Sequence, residues 1–194
     1  MGRYKSGKPR NKKSIKTHYA IFTEGFVTEL QYLELLRKRL RPRHAHFTFK
    51  KMGKDPSAIY KRCLRQIKNG DFDRAIFIVD VDSHERLEEA LNECKNSSTV
   101  DAVVTNPCFE LWLLWHATDL HGYTEVHKCV KLTDTHKLTK NKELTRAFPI
   151  VDYSKAAKRA LQAWPHLGPN KIGPNPSSAM PWLIDLMTTP SESN

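Results

Sequence analysis

Glycine, cysteine and acidic residues are all scarce in this chain, and each shortage excludes something. Only 8 of the 194 residues are glycine. Neither the glycine-rich phosphate loop of nucleotide hydrolases nor the Gly-x-Gly-x-x-Gly dinucleotide fingerprint occurs, so the chain is not expected to hydrolyse ATP itself. The four cysteines, Cys63, Cys94, Cys108 and Cys129, are far apart and form no Cys-x-x-Cys pair, which argues against a zinc site. Unpaired thiols suit a reducing compartment. No apolar stretch is long enough to cross a bilayer, and the basic N-terminus leads into the short run His18 to Thr23 rather than a secretory leader. The expectation is a cytoplasmic protein with no membrane partner.

Acidic residues number 21 against 32 Lys and Arg, for a formal net charge of +11. The charges are sorted along the chain. Met1 to Thr17 carries seven bases and no acid, and Arg37 to Arg65 carries eleven bases against Asp55 alone. Asp71 to Asp101 reverses the balance, with nine acids and three bases. A cationic surface flanking an acidic centre suits a phosphodiester substrate, because Lys and Arg neutralise its phosphates. Nucleic acid, DNA or RNA, is the expected partner.

The first seventeen residues lack periodicity and read as a basic mobile arm. From His18 onward, strand and helix signals alternate. Tyr19 to Thr23 reads as a strand and Thr28 to Leu40 as a helix. His46 to Lys50 alternates as a strand, and Pro56 to Asn69 has helical spacing. Arg74 to Asp80 is a third strand, Glu85 to Lys95 an acidic helix, and Val100 to Thr105 a fourth strand. Such alternation predicts an α/β fold with a parallel, Rossmann-like sheet flanked by helices, in which the ends of the first, third and fourth strands face one crevice. Residues 18–127 would form this domain. Pro107 is expected just inside an apolar helix containing Trp112 and Trp115. Residues 128–194 are expected as a helical extension packed on the sheet, with helices over Tyr153 to Trp164 and Ser177 to Met187.

The apolar run Ile76-Phe77-Ile78-Val79 ends in Asp80-Val81-Asp82. Paired carboxylates repel unless a cation or proton lies between them, and hard oxygen donors select Mg²⁺, Mn²⁺ or Ca²⁺. Glu24 follows the first strand and precedes Gly25, so its carboxylate is expected in the same crevice. Glu29 lies early in the next helix, where it faces the crevice or complements the helix dipole. His84 and His116 are candidate substrate contacts, with an ordinary structural histidine as the competing reading. Asn106, at a strand end, either orients a carboxylate or water or caps the next helix. Lys50, Lys51 and Lys54, with Arg37 to Arg43, are candidates for tracking phosphates.

Thr23-Glu24-Gly25 after one strand and Asp80-Val81-Asp82 after another resemble the Toprim domain of topoisomerases, primases and several nucleases. The segment Asn106-Pro107-Cys108-Phe109-Glu110-Leu111-Trp112-Leu113-Leu114-Trp115-His116 is similar to the signature of the RloB-like family, a Toprim group of prokaryotic defence loci. The resemblance implies metal-dependent nucleic-acid cleavage in phage defence. Glu24 would act near the attacking or departing oxygen, and Asp80 and Asp82 would hold Mg²⁺ or Mn²⁺. Glu29 and Glu110 would be the outer ligands of a second ion, although Glu110 also reads as a helix cap. The resemblance further implies a separately encoded ATPase as partner, and tRNA among the possible substrates. Two other readings stay open: a haloacid-dehalogenase-like phosphotransferase, which also carries Asp-x-Asp after a buried strand, and a non-catalytic nucleic-acid-binding subunit.

Overall fold

The computed structural model describes residues 16–25, 27–53, 55–81 and 86–190. Four strands, β1 (Thr17–Thr23), β2 (Ala45–Lys51), β3 (Arg74–Asp80) and β4 (Val100–Asn106), alternate with α1 (Thr28–Leu40), α2 (Pro56–Lys68) and α3 (Leu87–Lys95). They are followed by α4 (Phe109–Ala117), α5 (Val126–Thr135), a hairpin of β5 (Thr139–Lys140) and β6 (Glu143–Leu144), and α6 (Tyr153–Ala163). Finally come β7 (Ser177–Ser178) and α7 (Met180–Thr188). The sheet order is β2-β1-β3-β4-β7, parallel except for β7, which runs against β4. This is the mostly parallel, Rossmann-like α/β architecture the alternation predicts.

The apolar runs become strands because both sheet faces are covered, and successive side chains are dealt to opposite sides. Tyr19, Ile21, Ile76, Ile78 and Val103 join one core with Tyr32, Leu33 and Leu36 of α1 and most of α4. Ala20, Phe22, Phe77, Val79 and Val104 join the other, with Ile59 and Cys63 of α2 and Leu87 and Leu91 of α3. Burial of the large strand side chains on both faces stabilises each by roughly 1.5–3 kcal/mol relative to exposure. Aligned parallel strands then bring the C-terminal ends of β1, β3 and β4 side by side.

The C-terminal part departs from the expectation in two places. Pro107 does not lie inside α4; it follows a cis peptide bond from Asn106, and the helix begins at Phe109 with Cys108 as its N-terminal flank. Ser177 and Ser178 are not helical. They pair with Asn106 and Thr105 as the fifth strand, and Ser178 Oγ lies 3.0 Å from Thr105 Oγ1. Residues 128–194 therefore add strands as well as helices, and α6 and α7 share a core with β1 and β3. Helix α4 is buried from Leu111 to His116, which explains why its sequence is apolar all round rather than amphipathic. No helix among the described residues is long and apolar enough to cross a membrane.

Candidate active site

The site forms where β1 and β3 end and α4 begins. Thr23 Oγ1 donates to the carbonyl of Gly25 at 2.9 Å, which folds the chain sharply just past β1. Helix α1 starts three residues after Gly25 and carries Glu29 in its first turn. The Glu29 carboxylate lies against the Gly25 backbone so closely that a Cβ on Gly25 would sit 1.8 Å from its Oε1. Glycine is required there for close approach rather than for an unusual dihedral angle. Asp80 is the last residue of β3, and the ladder continues past it through Val81 N to Thr105 O at 3.1 Å.

Burial and neighbouring carboxylates together shift two of these groups. The Asp80 carboxyl is held well above its usual range, chiefly by burial, then by Glu110 and Glu29, with a smaller push from Glu24. A hydrogen bond from the Phe109 N–H opposes that rise, so Asp80 also caps the start of α4. Glu29 is pushed up to about 7, first by burial and then by Glu110 and Glu24, against opposing backbone hydrogen bonds at Glu29 and Gly25. Burial and like charge act in the same direction, as in carboxylate groups that share a proton or a cation.

Four of the expected carboxylates, Glu24, Glu29, Asp80 and Glu110, thus converge from β1, α1, β3 and α4. Among the described residues, no group of three or more His, Cys, Asp or Glu is arranged to hold an ion as it stands. The chemistry of the four carboxylates, all hard oxygen, fits a hard divalent cation such as Mg²⁺ or Mn²⁺. Asp82, His84 and Lys54 lie outside the described residues.

The remaining expected residues separate. Lys51 is in register with Thr23, one strand across from the turn that carries Glu24. Lys50 places its Nζ 4.5 Å from the centroid of Phe72. Asn106 donates its amide to the Gly173 carbonyl at 2.9 Å, tying β4 to the loop ahead of β7. His116 does not reach the crevice: it is 2 % exposed, and its ring packs against Tyr32, Trp112 and Phe148. Its expected substrate contact is corrected to a core role, because α4 has no polar edge at that position. Cys108, two residues before Glu110, is a buried free thiol that its neighbour Cys129, burial, Glu110 and Asp80 push up.

A family model described as RloB-like protein matches residues 19–187. No match was found among curated proteins or among solved structures. The match spans most of the chain, which belongs to the RloB-like family.

Proposed function

We propose that this member of the RloB-like family is a divalent-metal-dependent nuclease that hydrolyses phosphodiester bonds, acting as an effector of antiviral defence in the cytoplasm. The observation that carries the reading is the grouping of Glu24, Glu29, Asp80 and Glu110 at the ends of β1 and β3 and the starts of α1 and α4, with Asp80 and Glu29 raised first by burial and then by their carboxylate neighbours. The order of Glu24 after β1 and Asp80-Val81-Asp82 after β3 supports it through the Toprim resemblance.

Asp80 and Asp82 would hold Mg²⁺ or Mn²⁺, with Glu29 and Glu110 available to a second ion. Bound there, the metal supplies neutralisation of phosphoryl charge and a lower pKa for a water on it. Glu24 would orient the attacking water and accept its proton or, at the other oxygen, assist departure. Carboxyls that are protonated without a cation lose those protons when one binds, so occupancy is expected to strengthen as pH rises. Lys51, beside the turn after β1, would offset a substrate phosphate. The family resemblance also supports a separately encoded ATPase that restrains or activates cleavage.

One experiment tests the reading: the purified chain, with and without the neighbouring ATPase, is incubated with plasmid, single-stranded DNA and tRNA in Mg²⁺ or Mn²⁺, beside Asp80→Ala. Metal-dependent cleavage that Asp80→Ala abolishes supports a nuclease. A second reading, a binding subunit that never cuts, is supported by the excess of 32 Lys and Arg over 21 acidic residues. It predicts equal binding by both proteins and no product. Release of phosphate from a small monoester instead of polynucleotide cleavage would point to the phosphotransferase reading.

A further inference from the structure

We infer that the β5–β6 hairpin and the hollow beneath it form a polynucleotide-backbone holding site that feeds the carboxylate crevice. The inference rests on the nucleic-acid reading above and adds a location to it. Between Lys137 and Arg146 the chain carries Lys137, Lys140, Lys142 and Arg146 against the single acid Glu143. All four cations are exposed. Among the described residues, none forms an ion pair with a carboxylate; Glu143 stands opposite Lys140 in the ladder without closing on it. Lys137, Lys140 and Arg146 line a hollow of about 570 Å³ together with Asn141 and Asp134. Asp134, whose carboxylate accepts the Thr139 hydroxyl at 2.7 Å, is the one acid in that lining against three cations, so the lining is net positive.

Position supplies the second argument. Thr28 Oγ1 donates to the Lys142 carbonyl at 2.6 Å, and Leu144 N donates to Gln31 Oε1 at 2.7 Å. The hairpin is therefore pinned to the first turn of α1, where Glu29 enters the crevice. Its two-residue turn, Asn141-Lys142, has φ of 53° and 62°, the backbone for which glycine is the usual choice at the second position. Lysine there is disfavoured by its Cβ, and retention of such a conformation is characteristic of a functional loop. A cluster of exposed, unpaired cations beside a cleavage crevice matches the chemistry of a phosphodiester backbone, which it would hold irrespective of base sequence.

The test measures fluorescence anisotropy of labelled single-stranded DNA and RNA on the full chain in EDTA, from low to moderate salt. It compares the parent with Lys140→Ala/Lys142→Gly/Arg146→Ala and with Lys61→Ala/Arg62→Ala/Lys68→Ala, which removes equal charge from exposed positions on α2. The hairpin variant is expected to bind more weakly and to lower the slope of log affinity against log salt by about 2, from roughly 0.7 per lost single-strand phosphate contact. The α2 variant should match the parent. Equal weakening by both variants, or none by the hairpin variant, overturns the inference. So does displacement of the oligonucleotide by low-millimolar inorganic phosphate, which would make the hollow a free-phosphate site. If the parent binds and cleaves while the hairpin variant binds normally, only the holding site fails. If the parent binds no nucleic acid, the proposed function falls with it. Matching thermal melts establish that each variant is folded.

Discussion

Helix α4 connects two buried ionisable centres of opposite character. At its first turn Glu110 adds to burial, the larger cause, in raising the proton affinity of Asp80 and Glu29. At its last turn His116 lies in an aromatic core and is supplied with partners: Nδ1 lies 3.1 Å from Trp112 O and Nε2 3.3 Å from the Tyr32 hydroxyl. With the proton on Nδ1, that nitrogen donates to the carbonyl and Nε2 accepts from the hydroxyl, so the neutral ring satisfies both. Burial lowers its pKa to about 4 and keeps it neutral. The lesson is that burial of an ionisable group does not by itself mark a site. A neutral, hydrogen-bonded group is part of the scaffold, whereas Asp80 and Glu29, buried near further carboxyls, hold their protons more tightly than usual.

The sharpest way to break this contrast is to remove one member of the repelling set. Asp80→Ala is expected to abolish metal-dependent cleavage, by about a thousandfold or more if the group supports several kcal/mol of transition-state stabilisation, while leaving oligonucleotide binding in EDTA intact. Retained cleavage in a gel assay would place the chemistry elsewhere. His116→Ala should show the reverse pattern. It leaves the Tyr32 hydroxyl without its partner and opens a cavity among Tyr32, Trp112 and Phe148, costing about 3 kcal/mol of stability by denaturant titration, with cleavage per folded molecule unchanged.

The two centres also pull in opposite directions with pH. Glu29 has a folded pKa of about 7 against 4.5, so the folded state binds the extra proton and stability falls as pH rises through that window. Asp80, raised as well, adds to the fall. His116, at about 4 against 6.5, binds its proton more weakly when folded, so stability rises with pH between those values. Each window amounts to at most about 3 kcal/mol, less what solvent screens. The contributions offset one another between about pH 4.5 and 6.5 in the parent. They separate in variants: without metal, His116→Phe should lose stability from pH 5 to 7.5, and Glu29→Gln should lose less of it or gain. Saturating Mg²⁺ should flatten the loss in His116→Phe. Identical profiles for the two variants would remove the electrostatic distinction between the centres.

The mildest perturbation is Gly25→Ala. The new Cβ would meet the Glu29 carboxylate, forcing it out of place while Asp80 stays. Mn²⁺ affinity by calorimetry is expected to fall about tenfold, as for changes that disturb ligand orientation. An unchanged affinity would exclude Glu29 as a ligand.

Elements with long burial patterns were legible in the sequence. Thr28 to Leu40 and Arg74 to Asp80 match α1 and β3 end to end, because a sheet covered on both faces leaves an uninterrupted apolar run and a helix on one face leaves its spacing. The placement of Glu24 and Asp80 at strand ends was legible for the same reason, since each apolar run stops where its strand leaves the sheet. Two-residue strands leave no period. Ser177 and Ser178 are polar yet buried, and only the edge of β4, some seventy positions earlier, makes them a strand. Pro107 misled because α4 begins two residues later, at Phe109, with Cys108 as its N-terminal flank. His116 misled because α4 is covered on every side, a tertiary property that local polarity does not encode.

The late antiparallel strand β7 carries a kinetic consequence. Until residues 177–178 arrive, β4 presents an unpaired hydrogen-bonding edge at Thr105 and Asn106, next to the apolar start of α4. An open edge beside exposed apolar surface invites pairing with another molecule, and a contact that spans so much chain closes slowly. Self-association of folding intermediates should therefore concentrate at that margin, and strengthening the β4–β7 seam should raise the refolding yield more than it raises equilibrium stability.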